Sequence, residues 1–85
     1  MNIELKGASY GPVYAQVREQ IEGQIRAGQV SSGEVLASPA SLARELSVDP
    51  GEIQRAYFEL EQAGLVRRES AKDFLGKLKT TFRVK

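Results

Sequence analysis

Apolar residues recur along this 85-residue chain with two different periods, and the change from one to the other marks out its elements. In Asn2–Lys6, Ile3 and Leu5 alternate with Glu4 and Lys6, which predicts a short half-buried strand. Gly7 to Gly11 reads as a loop. Val13, Val17, Ile21 and Ile25 then recur every four residues, with Tyr14 beside them, which predicts a helix over 12–27. Pro12 suits its first turn and Gly28 a left-handed cap at its end. Gln29 to Glu34 reads as a turn.

Ser38-Pro39 and Asp49-Pro50 each place a capping oxygen before a proline, the start signal of a helix. Leu42, Ala43 and Leu46 give the first of these helices its apolar face. Ile53, Ala56, Tyr57 and Leu60 give the second one, which Gly64 closes. Glu52 follows Asp49 at the spacing of a capping box. Only Ser47 and Val48 separate the two helices, so residues 38–63 form a helix-turn-helix. Leu65 to Glu69 can be a strand, and Ser70 to Gly76 a polar turn interrupted by Phe74 and Leu75. Leu78, Thr80, Phe82 and Val84 alternate with Lys79, Thr81, Arg83 and Lys85, so 65–85 forms a β-hairpin wing. The expected fold class is α+β, mainly α. It is a winged helix-turn-helix of three helices, a C-terminal hairpin and a short N-terminal strand, with residues 1–85 as a single domain.

The composition removes several chemistries. The sequence holds no cysteine and no histidine, so disulfides, thiolate metal sites and histidine-based catalytic triads lack their parts. No phosphate-cradling glycine loop appears. The chain is expected not to be an enzyme and to need no metal or nucleotide cofactor. No apolar run approaches a membrane-spanning length and no leader pattern opens the chain, which predicts a cytoplasmic protein. The net charge of +1 hides an asymmetry: residues 65–85 carry +5 and residues 1–64 carry −4.

Several motifs, in order, resemble the DNA-binding domain of the GntR family, in its YtrA-like branch. Pro12-Val13-Tyr14-Ala15-Gln16-Val17 resembles the family's P-(L/I/V)-Y-x-Q-(I/V) opening. Gly28-Gln29-Val30 with Gly33 resembles its G-x-(L/I)-x-x-G turn. Leu36, Ser38, Leu42 and Ala43 match part of L-P-S-x-R-x-L-A. Val48, Ile53 to Tyr57, Leu60, Glu61 and Gly64-Leu65-Val66 resemble V-N-P-N-T-V-Q-R-A-Y-x-x-L-E-x-x-G-L-(I/V). The resemblance implies a winged helix whose recognition helix, residues 49–63, enters the major groove, while the preceding helix and the wing touch phosphates. Departures fall at contact positions. Ala40 stands for the family's Arg, Ala37 for its Pro, and Asp49-Pro50-Gly51-Glu52 for N-P-N-T. The glycine pair of the wing tip is absent, and the branch's helical dimerisation segment has no counterpart before Lys85.

The candidate DNA contacts are Ser38, Arg44, Gln54, Arg55, Arg67, Lys72, Lys77, Lys79 and Arg83. Gln54 can bond adenine bidentately and Arg55 a phosphate or guanine, and either can equally pair with Glu59 or water. Lys77, Lys79, Arg83 and Lys85 share one strand face, as a phosphate-binding stripe or as a solvated face. Tyr14, Tyr57 and Phe58 read as core or near-core aromatics. Asp49 and Glu52 read as caps, at a cost to phosphate approach. The unit Leu36–Gly64 carries Arg44 and Arg55 against five acids, a net −3. Two functions follow: a DNA-binding regulator domain with double-stranded DNA as partner, or a winged helix kept for protein–protein interaction behind an acidic head. Three assembly states are open: a monomer, a weak homodimer paired through the Ile3/Leu5 strand, or a module of a longer protein.

Overall fold

The computed structural model describes residues 2–85. A 3-10 turn, Ala8–Tyr10, leads into α1 (Val13–Arg26), followed by α2 (Pro39–Leu46), α3 (Pro50–Gln62), β1 (Val66–Lys72) and β2 (Leu78–Val84). The two strands pair antiparallel, Val66 opposite Val84 and Lys72 opposite Leu78. β1 thus runs three residues further than the alternation from Leu65 to Glu69 predicts, because the ladder continues as long as β2 supplies partners. On its other side β2 is flanked by the stretch before α2. Gly33 N–H donates to the Val84 carbonyl at 2.8 Å, and Leu36 N–H to the Phe82 carbonyl at 2.7 Å. The wing is therefore hydrogen-bonded to the body along the base of β2.

Helix ends follow the local chemistry. Ser38 Oγ accepts from Ser41 N–H at 3.1 Å, and Asp49 Oδ1 from Gly51 N–H at 2.8 Å, each ahead of a proline in the first turn. Between α2 and α3, Ser47 adopts a left-handed backbone (φ 58°), and Val48 N–H reaches back to the Ala43 carbonyl at 2.9 Å. This turn sets α3 across α2. The apolar faces meet in one core: Val17 and Ile21 of α1, Leu42 and Ala43 of α2, Ile53, Ala56, Tyr57 and Leu60 of α3, and Val66, Phe82 and Val84 of the hairpin. Tyr57 packs edge-on against Phe82, with ring centroids 5.0 Å apart at 75°. Its hydroxyl donates to the Ala37 carbonyl at 2.7 Å, and burial pushes its pKa well above the ordinary phenol value. Phe58 departs from expectation. It is half exposed, on the side of α3 away from this core.

The predicted N-terminal strand is absent. Residues 2–6 form no regular element and Ile3 is buried, as the alternation requires, but among the described residues no strand pairs with them. Side-chain amides of α1 take that place. Gln20 Oε1 accepts from Glu4 N–H at 2.8 Å while its Nε2 donates to the Glu4 carbonyl at 2.6 Å. Gln16 does the same for Lys6, at 2.7 and 3.1 Å, and Gln24 donates to the Asn2 carbonyl at 2.6 Å. The match is geometric. Four residues of helix advance about 6 Å and two residues of extended chain about 6.6 Å, so glutamines four apart meet backbone groups two apart. The Ile3/Leu5 segment is thus laid onto α1, with Ile3 in the core, instead of offering itself as a pairing strand.

Candidate nucleic-acid interface

The start of α2, the exposed side of α3 and the body-facing side of the hairpin enclose a groove of about 440 Å³. Ser38, Pro39, Ala40, Gln54, Arg68, Thr80 and Phe82 line it. Strand register explains why these hairpin residues face the helices. Arg68 sits opposite Phe82, and Ser70 opposite Thr80, on the same side as the buried Val66 and Val84. Of the sequence-predicted contacts, Ser38 and Gln54 lie in this groove. Arg68 and Thr80 were not among those contacts. Arg68 follows Val66 by two positions, and that spacing is the signal that places it on the body-facing side.

The Arg68 guanidinium lies 5.1 Å from the Phe82 ring centroid and 3.4 Å from Glu61 Oε1, so it is held over the groove by stacking and by an ion pair. Three of the predicted arginine contacts are engaged within the fold. Arg55 stacks on the Tyr14 ring at 3.7 Å and reaches Glu59 at 3.5 Å, the intramolecular one of its two sequence readings. Arg67 Nε lies 3.0 Å from Glu69 Oε2. Arg83 donates through Nε to Glu69 Oε1 at 2.9 Å and through Nη1 to the Gly33 carbonyl at 2.7 Å, which ties the wing to the loop before α2. The Arg83 hydrogen bond, aided by the charges of Arg83 and Arg67, holds the Glu69 carboxyl below its ordinary value. Arg44, Lys72, Lys77 and Lys79 are exposed and make no ion pair among the described residues. The basic stripe is therefore divided. Lys79 is on the outer side of the hairpin with Arg83, whereas Lys72 is on the body-facing side with Arg68.

The acids of the helix-turn-helix are spent internally. The capping box does not close on itself, because Glu52 Oε2 accepts instead from the backbone N–H of Tyr14 in α1, at 3.0 Å. The physical reason lies in α1, whose N-cap is Pro12 and offers no side-chain acceptor to the first-turn amides. Asp49 caps α3. Gly51 leaves room for that carboxylate, since a Cβ there would come within 3.2 Å of Asp49 Oδ1. Glu59 Oε1 lies 2.9 Å from Arg18 Nε. With Glu61 paired to Arg68, four of the five acids counted in Leu36–Gly64 have partners in the fold.

No helix among the described residues is long and apolar enough to cross a membrane. Residues 13–74 match the gntR family of bacterial regulatory proteins. The fold is similar to that of YtrA from Sulfolobus acidocaldarius, a GntR-family transcription factor. The TM-score is 0.77 at 27% identity, over 99% of this chain and 78% of that one. The sequence is 32% identical over 57 residues to the HTH-type transcriptional regulator SmoD of Agrobacterium fabrum, covering 67% of this chain and 24% of SmoD. It is 38% identical over 55 residues to the HTH-type transcriptional regulator Rv1152 of Mycobacterium tuberculosis, covering 65% of this chain and 46% of that protein. The chain spans less than half the length of these curated relatives.

Proposed function

The chain belongs to the gntR family of bacterial regulatory proteins, and from that premise we propose that residues 1–85 act as one DNA-reading domain that grips a duplex through the groove between α2, α3 and the wing. α3 lies in the major groove, where Gln54 bonds a base edge, adenine by preference. Arg68 and Ser38 hold the flanking phosphates, and Lys72, Lys77 and Lys79 extend that grip along the hairpin. Arg55, Arg67 and Arg83 serve the scaffold. The domain works in transcriptional regulation in the cytoplasm and reads one half-site.

One observation carries this reading. Polar groups from three separate elements converge on an open groove, while the carboxylates around it are turned to partners inside the fold. That same observation removes the motive for the protein-interaction alternative, which rested on an acidic reading head.

A fluorescence-anisotropy titration with mixed-sequence duplex at low salt tests the proposal. Binding is expected in the non-specific range, roughly 1–100 μM. Arg68→Met should weaken binding to every sequence and flatten the log–log salt slope by about 1, whereas Gln54→Ala should relax preference at one base pair. Silence at tens of micromolar would sink the proposal.

A further inference from the structure

Phe58 is the large apolar side chain of α3 that the core does not use. Ile53, Ala56, Tyr57 and Leu60 form the buried face of the helix, whereas Phe58 is 50% exposed. At about 100° per residue, Phe58 and Gly51 lie on the ridge opposite that buried face. Gln54, which lines the groove, stands one turn before Phe58. We propose that Phe58 is a specificity-determining residue whose ring packs on the C5-methyl group of a thymine, about two base pairs from the base edge that Gln54 reads. The inference deepens the DNA-reading role proposed above and rests on it.

Position on the helix supports the contact. When a helix lies in the major groove, the ridge farthest from the core reaches deepest towards the base edges. In α3 that ridge begins with Gly51, which adds no side chain and lets the first turn approach closely. Phe58 then projects from the same ridge. Four residues of helix advance about 6 Å and two base-pair steps about 6.8 Å, so Gln54 and Phe58 meet bases two pairs apart.

Chemistry selects the group. Base edges in the major groove present donors, acceptors and one methyl group, that of thymine. A phenyl ring neither donates nor accepts a conventional hydrogen bond, so it discriminates there by apolar contact. The charged neighbours of Phe58 are held elsewhere. Arg55 stacks on Tyr14, Glu59 pairs with Arg18, and Glu61 with Arg68. Among the described residues no other ring or cation stacks on Phe58, so its exposed half is free to meet a base.

The test begins with selection from a random duplex pool, which should return a thymine about two pairs from an adenine. The selected duplex is then made with uracil in place of that thymine, a change that removes only the C5-methyl. By anisotropy, the wild-type chain should bind the thymine duplex about fourfold more tightly, the worth of one buried methyl group. Phe58→Ala should bind both duplexes alike, at the level of the wild type on uracil, and keep its preference for adenine. Phe58→Leu, still apolar, should retain the preference for thymine. Phe58 lies outside the core cluster, so both variants should melt near the wild-type temperature.

A thymine preference that survives in Phe58→Ala overturns the contact and leaves groove reading in place. So does a wild-type chain that binds thymine and uracil duplexes equally, or a selected site without the thymine. If the wild-type chain binds no duplex, both readings fall. Dimerisation in sedimentation velocity that Phe58→Ala abolishes, with no preference for thymine, would assign the ring to a second copy of the chain instead.

Discussion

Glu52 shows how little a residue's chemistry says without its partner. Three positions after an N-cap aspartate, a glutamate belongs to a capping box; at the front of a recognition helix, it repels phosphate. In the structure it closes no box, and accepts the Tyr14 amide of a helix 38 residues away in sequence. Glu52→Ala should therefore behave as the loss of a helix cap. A stability decrease of about 1 kcal/mol is expected, read as a lower urea midpoint at unchanged m-value. A tighter grip on DNA is not expected. Other single-residue roles were legible because they are local: Ser38 and Asp49 cap the amides two or three positions ahead of them, as their spacing to proline announces. The arginines were not legible. Arg55, Arg67, Arg68 and Arg83 look alike in the sequence, and only the fold decides that Arg68 overlooks the groove while the other three brace the scaffold.

At the level of elements, the hairpin is both a strand pair and a lever fixed at its base. Arg83 clamps β2 to the Gly33 loop and to Glu69 of β1, so the direction in which the tip projects depends on that clamp. Glu69 titrates below the ordinary carboxylate value because of it. A group depressed in this way contributes stability above its unfolded pKa, and the contribution disappears as pH falls through the lower folded value. The Glu69 half of the clamp thus holds at neutral pH and opens only in acid, below the ordinary carboxylate range of about 4, while the bond to the Gly33 carbonyl does not titrate. A carboxyl-carbon NMR titration should place Glu69 under that range in the wild type, and Arg83→Met should move it up towards the ordinary value, with Arg67 still holding it down. Alternation in Leu78 to Lys85 gave the strand and its two sides, but not the point at which the body stops covering it. Phe82 and Val84 are buried, whereas Leu78, on the same side, is out in solvent. The three helices were legible from their four-residue recurrence and proline starts. The N-terminal strand was not, since alternation marks an extended segment without saying whether a neighbouring strand or a row of glutamines will pair with it.

For the molecule as a whole, charge is sorted by element. Residues 65–85 carry +5 and the rest −4, so the wing holds the positive potential that the proposed duplex binding would use first. With Arg68, Lys72, Lys77 and Lys79 as phosphate contacts, log Kd should rise with log salt at a slope of about 3.6. Replacing the three lysines together by glutamine should leave a slope of about 0.9, measured by anisotropy across a salt series. The family resemblance covered the body and fixed its order of elements, and it said least about the wing, where this sequence departs from the pattern. The N-terminal segment supplies the complement to this charged grip. Its hydrogen bonds to Gln16, Gln20 and Gln24 join neutral amides. Counterions compete for phosphate contacts but have no purchase on amide pairs. A rise in ionic strength, which would weaken the proposed grip on a duplex, therefore leaves the attachment of the first residues intact.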